Sequence, residues 1–223
     1  MTRRSGPPLH VAQLTLPDRM GGYAKGDRTR RVILQAAHDL LLEHGYAALT
    51  LRGVATACNL RMGNLTYHFP SRESLVSALF DAIIRGYEDA FAEIMADQKL
   101  PPVARLMDVC RLIMDDIGTR RTTRLFPELW ALSNHDPFVA DRMYEMYDRA
   151  RAAIVSAVRC AYPAAHERSV DLTSIFITSA MEGMSIFAGY GKPYQDDRAE
   201  IAEIALDAFL HASQAHADES PAR

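Results

Sequence analysis

Cysteine is scarce in this chain, with three among 223 residues. Cys58, Cys110 and Cys160 lie far apart, and no pair has the CxxC spacing of a zinc or redox site. This pattern excludes a disulfide framework and indicates small core residues in a cytoplasmic protein. A redox-sensing thiol is the alternative, but no cationic surroundings that would lower a thiol pKa are evident in the sequence.

Long apolar runs, alternating strand patterns and catalytic motifs are also missing. No run approaches the ~20 apolar residues of a membrane span, and the amino terminus lacks the apolar stretch of a secretory signal. A nucleophile elbow, a phosphate-binding glycine loop and a zinc HExxH are absent. An enzyme would have to use Glu128, His135 or Glu182, and His135–Asp136 beside Trp130 is more typical of a helix end than of a dyad. We therefore expect no catalytic residues, no cofactor, no metal and no membrane partner.

Charge is nearly balanced over the whole chain but is unevenly distributed. The chain has 25 Lys and Arg against 28 Asp and Glu, whereas residues 1–75 hold ten against five. Hydrophobic residues make up 48% of the chain, enough to bury a substantial core. A basic head followed by an acidic body is typical of a protein that binds nucleic acid through its head.

The stretch Leu49–Phe69, LTLRGVATACNLRMGNLTYHF, predicts two short helices joined by a tight turn. Thr50 is placed to cap the first helix, because its hydroxyl can accept an otherwise unpaired backbone N–H. Val54 and Ala55 lie three and four residues after Leu51, on one face of that helix. Asn59 suits the turn because asparagine tolerates a left-handed backbone.

The second short helix predicts a buried anchor, Leu65, surrounded by polar groups, and it ends at Phe69 before Ser71 caps a new helix. Such a mixture suits DNA reading, since arginine pairs with guanine, asparagine with adenine, and tyrosine or threonine with phosphate. The alternative is a pair of surface helices whose polar face is solvated and does not bind DNA.

The run VATACNLRMGNLTYHFPSRESL resembles the amino-terminal domain of the tetracycline-repressor (TetR) family of bacterial transcriptional regulators. The matching positions are Thr50, Val54, Ala55, Gly63, Leu65, Tyr67, His68, Phe69, Ser71, Arg72 and Leu75. Asn59, Arg61 and Thr66 depart from the residues common in the family, so a base preference does not transfer. The resemblance implies a helix-turn-helix head, phosphate contacts at the start of the first helix and at Arg72, and a helical body that pairs with a second copy.

Residue types and resemblance together give one set of candidates for contact with a near-palindromic duplex DNA. These are Arg28, Arg31, Thr50, Arg52, Arg61, Met62, Gly63, Asn64, Thr66, Tyr67, His68 and Arg72.

The fold expected is all-α, with a three-helix DNA-binding head and a helical body for effector binding and dimerisation. Domain bounds are predicted as a flexible basic arm at 1–26, the head at 27–75, the body at 76–216 and a disordered tail at 217–223. The arm is alternatively an idle leader. Helices are predicted at 27–43, 71–95, 103–117, 122–134, 136–162, 166–190 and 196–212, with Asp27 capping the first.

The last two helices are expected to form a homodimer, because the first of them carries apolar residues on more than one face. The interface candidates are Leu172, Ile175, Phe187, Ile201, Ile204, Ala208 and Phe209. A small, mainly apolar effector is expected inside the body, among methionine and aromatic side chains. Its candidate contacts are Met107, Cys110, Met114, Phe126, Trp130, His135, Tyr144, Tyr147, Phe176 and Met181.

The function predicted is that of a repressor that such an effector releases from its operator. The alternative, on the same fold, is a ligand-independent regulator or a protein-interaction adaptor.

Overall fold

A computed structural model of the chain describes Val11, residues 14–16 and residues 24–218. Most of the predicted arm and part of the predicted tail lie outside these residues. The described part is all-α, as predicted, and holds one short 3-10 helix, Tyr46–Ala48. Its α-helices are α1 (Ala24–His44), α2 (Leu51–Ala57), α3 (Met62–His68), α4 (Arg72–Ala96), α5 (Pro102–Ile117), α6 (Arg120–Ser133), α7 (Pro137–Ala161), α8 (Glu167–Phe187) and α9 (Arg198–Asp218). Among the described residues, no helix combines the length and apolar character that crossing a bilayer requires.

The caps of α2 and α7 and the turn between α2 and α3 form as their residue types predict. Thr50 Oγ1 accepts from the Gly53 N–H at 3.0 Å, at the start of α2. Asn59 has φ of 52°, the left-handed conformation that ends one helix and turns the chain toward the next. The Asp136 carboxylate accepts from the Phe138 N–H at 3.0 Å, at the start of α7.

The helix bounds differ from prediction by three residues or more at three places. The first helix begins at Ala24, so Asp27 lies inside it and does not cap it. Gly26, the last residue of the predicted arm, is tolerated inside this helix because one helical glycine costs only about 1 kcal/mol relative to alanine. Helix α9 runs past Ala212 to Asp218, since the buried residues Leu206, Phe209 and Ser213 continue its packed face. Helix α8 ends at Phe187 and not at Tyr190.

By their internal contacts, the described residues fall into two units. Of the described residues, the head unit contains 14–16, 24–86 and 124–146, and the body unit contains Val11, 87–123 and 147–218. The chain passes from one unit to the other inside α4, α6 and α7. Residues 124–146, expected in the body, therefore cluster with the head, while the predicted boundary at residue 75 stays a prediction.

In the body unit, a buried polar network joins α4, α5 and α6. The Asp116 carboxylate accepts from the Arg121 guanidinium at 2.8 Å and also from the hydroxyls of Tyr87 and Thr122. Arg121 and Thr122 are both buried. Burial and the neighbouring Asp116 charge raise the pKa of Tyr87, so its hydroxyl remains a donor. Because every member has a partner, the network fixes the first turn of α6 to α4 and α5.

Candidate nucleic-acid interface

One face of α3 is fully buried and the other is open to solvent. Leu65 is 0% exposed, as expected of the anchor, and Phe69 just beyond the helix is also buried. By contrast, Tyr67 is 84% exposed and Met62 is 41% exposed. Arg61 and Asn64 are exposed as well. Helix α3 is therefore anchored by a buried leucine and presents a guanidinium, an amide and a phenol to solvent.

Gly63 lies on the same open face, where packing does not require a glycine. Apart from its two chain neighbours and the backbone of α3 itself, a Cβ added at this position would have no atom of the described residues within 4 Å. The absence of a side chain here is thus unexplained by the fold itself. It agrees with the expectation that something outside the chain approaches this backbone closely.

Two candidates on α3 are less available than the sequence suggested. The Thr66 hydroxyl donates to the Met62 carbonyl at 3.0 Å, a bond within the helix. His68 is half-buried, and its ring packs edge-on against Tyr67 with centroids 5.2 Å apart. The Thr66 hydroxyl is therefore already bonded within α3, and the outward surface consists mainly of Arg61, Asn64 and Tyr67.

The head unit also has exposed arginines outside α3. Arg28 and Arg31 lie near the start of α1, and Arg52 lies on α2. Within the part of the chain that the structure describes, neither these three nor Arg61 forms an ion pair. Four uncompensated guanidinium groups on the head unit agree with a surface that meets phosphate.

Arg72 was expected on phosphate, but the structure places its guanidinium inside the head unit. Its Nε donates to the Leu49 carbonyl at 2.7 Å and its Nη2 to the Tyr46 carbonyl at 3.0 Å. The guanidinium carbon also lies 4.1 Å from the centre of the Tyr46 ring. The Tyr46 carbonyl already accepts from the Leu49 N–H at 3.0 Å, and its second lone pair remains open to a charged donor. The planar donor fork of arginine can bind this carbonyl and the Leu49 carbonyl together.

Arg30 has a similar internal role, which the sequence reasoning missed. Its Nη1 donates to the His68 carbonyl at 3.2 Å, and its guanidinium carbon lies 4.4 Å from the centre of the Phe69 ring. Arg30 thereby braces the carboxyl end of α3 from α1. The aromatic residue that ends α3 is visible in the sequence, but no spacing rule indicates that Arg30 contacts it.

The effector candidates are split between the two units. In the body unit, Met107, Cys110 and Met114 on α5 and Met181 on α8 are buried. In the head unit, Phe126 is buried and Trp130 is half-buried. Three candidates are exposed instead: His135 lies in the turn between α6 and α7, and Tyr144 and Phe176 lie on the solvent faces of α7 and α8. The exposed positions do not line an interior cavity of their unit.

Glu182 follows Met181 on α8 of the body unit. Burial raises the pKa of its carboxyl to about 7, and a hydrogen bond with Tyr147 opposes this rise. At neutral pH the group is therefore close to its midpoint and can donate or accept a hydrogen bond. Tyr147, one of the predicted effector contacts, is thus hydrogen-bonded to Glu182, which was not among those predicted contacts.

The interface candidates on α8 and α9 divide into exposed and buried positions. Leu172, Ile175 and Phe187 on α8 are exposed, and Ile204 on α9 is 71% exposed. Phe209, expected in the interface, is instead 1% exposed and packs edge-on against Phe176, with ring centroids 5.8 Å apart. The predicted interface positions on α9 thus combined two faces: Phe209 belongs to the core, Ile201 is half-buried, and Ile204 and Ala208 are exposed.

Two family models match the chain. "Bacterial regulatory proteins, tetR family" matches residues 33–79, and "BetI-type transcriptional repressor, C-terminal" matches residues 102–212. The first covers α2, α3 and the anchor Leu65, and the second covers α5 to most of α9. Each model thus falls on the part of the fold for which the resemblance predicted it.

Known proteins of similar sequence and structure are also transcriptional regulators. An uncharacterised helix-turn-helix regulator from the dhlA 5′ region of Xanthobacter autotrophicus is 27% identical over 175 residues, covering 75% of this chain and 82% of that protein. The structure of Salmonella enterica GusR has a TM-score of 0.68 at 18% identity, over 84% of this chain and 96% of that one. A regulator from Saccharomonospora viridis, solved in complex with choline, has a TM-score of 0.59 at 18% identity, over 84% and 94%. Together with the two models, these likenesses establish the identity: the chain belongs to the tetracycline-repressor family of bacterial transcriptional regulators, with a carboxyl-terminal part of the BetI type.

Proposed function

We propose that this protein is a dimeric repressor whose α3 reads a near-palindromic DNA site and which a small, mainly apolar molecule releases from that site. The observation that carries the DNA half is the outward face of α3. Arg61, Asn64 and Tyr67 are exposed on a helix seated by Leu65, and Gly63 leaves its backbone open. These side chains are the donors and acceptors that base edges and phosphates require.

Binding sites selected from a duplex library with a randomised core test the DNA half. We expect an enriched site with two-fold symmetry, because a symmetric dimer places two copies of α3 on successive major grooves. Enrichment of no sequence, or of a single asymmetric half-site, would contradict the proposal.

The dimer half of the proposal is supported by the exposed apolar side chains of the body unit. Leu172, Ile175 and Phe187 on α8 and Ile204 on α9 present large apolar groups to solvent in the single chain. Exposed apolar side chains that cluster on a soluble protein often mark an interaction surface, and a second copy can cover these residues by two-fold symmetry.

Sedimentation at micromolar concentration tests this association. We expect a species of twice the 24.8 kDa chain mass, and monomers when Ile204 and Phe187 are both changed to glutamate. A wild-type protein that sediments as one chain would end the dimer proposal.

The effector half is supported by the buried methionines of α5 and α8 and by the polar pair beside them. Met107, Met114 and Met181 supply adaptable apolar contacts, while Glu182 and Tyr147 supply one polar anchor. The structural relative that holds choline is an example of this fold with a small molecule bound. An apolar molecule with one hydrogen-bonding end suits these groups better than a strongly charged one.

A library of apolar compounds, with choline as a charged comparison, tests the effector half by thermal shift and then by release of the selected DNA. A releasing ligand must bind the conformation with low DNA affinity more tightly, since equal affinity for both conformations shifts nothing. Compounds that stabilise the protein but leave DNA affinity unchanged would contradict the switch.

A further inference from the structure

The corner between α1 and α2 has a backbone that only glycine adopts readily. Gly45 has φ of 73° and ψ of 177°, outside the regions open to other residues. A Cβ at this position would also lie 2.8 Å from Glu128 Oε1. The glycine therefore serves two purposes: it turns the chain, and it leaves room for a carboxylate from α6 to approach the backbone.

Glu128 uses that room to hold the next residue. Its Oε1 accepts from the Tyr46 N–H at 2.9 Å, although the two residues are 82 positions apart. One turn earlier on α6, Arg124 Nη1 donates to the Leu42 carbonyl at 3.3 Å, in the last turn of α1. Both contacts lie within the head unit. They satisfy backbone groups that the end of α1 and the turn into the 3-10 helix leave without helical partners.

Arg72 holds the same corner from α4. Tyr46 is thus fixed at three points: its N–H by Glu128, and its carbonyl and ring by Arg72. The second Arg72 bond reaches Leu49, the residue just before the cap of α2. A carboxylate and a guanidinium on opposite sides of one residue leave its backbone little freedom to rotate.

The corner is in direct backbone contact with α2. A Cβ at Gly53 would lie 2.9 Å from the Ala48 carbonyl oxygen, so α2 packs against the 3-10 helix without a side chain between them. Displacement of Tyr46–Ala48 therefore moves the start of α2. Because α2 and α3 are joined by the short turn at Asn59, such a displacement also reorients α3.

We infer that Glu128 is a positioning residue for DNA reading, through which α6 holds the helix-turn-helix in its reading orientation. This inference rests on the proposed DNA binding and deepens it. Glu128 does not touch DNA. It acts through Tyr46, and loss of the bond frees the corner to rotate and lowers the affinity for DNA without changing which sequence is preferred.

The test compares Glu128→Ala, Glu128→Gln and the control Asp141→Asn in the full-length protein, on the selected DNA and on a scrambled duplex. The control removes one exposed negative charge from the same unit. Removal of a negative charge alone favours DNA binding, because the remaining positive charge attracts the phosphates more strongly. The inference predicts the opposite for Glu128→Ala, a loss of about tenfold on both duplexes with an unchanged ratio between them.

Glutamine keeps an oxygen that can accept from the Tyr46 N–H, so Glu128→Gln should bind DNA at least as tightly as wild type, as should Asp141→Asn. Hydrogen exchange of the Tyr46 amide should accelerate in Glu128→Ala only. This readout separates local release of the corner from general destabilisation, and it does not depend on DNA binding.

Wild-type DNA affinity in Glu128→Ala would overturn the inference, and so would unchanged Tyr46 exchange in that variant. A glutamine variant as weak as the alanine variant would also overturn it. If wild-type protein selects no DNA site, the proposed function fails, whereas faster Tyr46 exchange in Glu128→Ala would still establish the hold of α6 on the corner.

Discussion

The outward face of α3 and the corner at Gly45–Tyr46 differ in how their polar groups are used, although both lie in the head unit. On α3, Arg61, Asn64 and Tyr67 are exposed, and Gly63 has empty space where its side chain would be. At the corner, Tyr46 is buried and bonded through both its N–H and its carbonyl, and Gly45 has a carboxylate where its side chain would be. Polar groups with internal partners maintain the fold, whereas those without partners are available to a ligand.

The same contrast separates two groups of arginines that composition cannot distinguish. Arg30 and Arg72 each bond to backbone carbonyls and cover an aromatic ring. Arg61 and Arg52 are exposed and form no ion pair within the described part of the chain. Substitutions test this division. Changes to internally bonded residues should lower stability, whereas changes to exposed residues should weaken DNA binding.

Gly45→Ala should be the most damaging substitution in the head unit. Alanine is strained at this backbone conformation by about 2–3 kcal/mol, and its Cβ would also displace the Glu128 carboxylate. Thermal and urea unfolding should therefore show a marked loss of stability, accompanied by weaker DNA binding. An alanine variant as stable as wild type would show that the corner is not fixed as described.

Arg72→Ala should lower the free energy of unfolding by about 1.5–3 kcal/mol, because two bonds from a charged group and one ring contact are lost together. The salt dependence of DNA binding should stay unchanged, since the guanidinium is used internally. Parallel urea unfolding and binding titrations at several salt concentrations check both points. A shallower salt dependence with unchanged stability would restore the phosphate contact expected from the sequence.

Arg61→Ala and Asn64→Ala should have the opposite profile. Each should reduce discrimination between the selected and scrambled duplexes by about 1–3 kcal/mol while leaving unfolding unchanged. Leu65, the seat of the helix, is untouched by either change, so the orientation of α3 is retained. Equal discrimination by wild type and both variants would remove these residues from the reading surface.

Gly63→Ala should cost no stability, and it has the most direct meaning for the comparison. The added methyl group makes no close contact outside its own helix backbone. The free energy of unfolding should therefore equal that of wild type or exceed it by up to about 1 kcal/mol. DNA affinity should nevertheless fall, because the added methyl group occupies the approach to the helix. A gain of stability with unchanged DNA affinity would leave the glycine without a role at an interface.

Sequence reasoning predicted the local features of the head and missed the long-range ones. Thr50 as a cap, Asn59 in the left-handed region and Leu65 as a buried anchor follow from residue type and short spacing, and the structure confirms them. The bond from Glu128 to Tyr46 could not be predicted in this way, because no periodicity connects residues 82 positions apart.

The candidate sites of the body show a second limit of sequence reasoning. Apolar spacing on α9 placed Ile204 and Phe209 in one stripe, but a helical turn of 3.6 residues sends these two side chains to different faces. Phe176 and Tyr144 are aromatic and were therefore expected inside, yet both are exposed. Residue type alone therefore does not distinguish apolar residues of an exposed interaction surface from those of the core.

The central claim is that the exposed groups of α3, and not the bonded groups behind them, read DNA. Competition binding of wild type, Arg61→Ala and Arg72→Ala to the selected and scrambled duplexes, below the unfolding temperature of each variant, tests it most directly. The account predicts that Arg61→Ala lowers the affinity ratio between the two duplexes, while Arg72→Ala preserves the ratio and loses stability. A ratio that falls in Arg72→Ala and stays unchanged in Arg61→Ala would contradict the account.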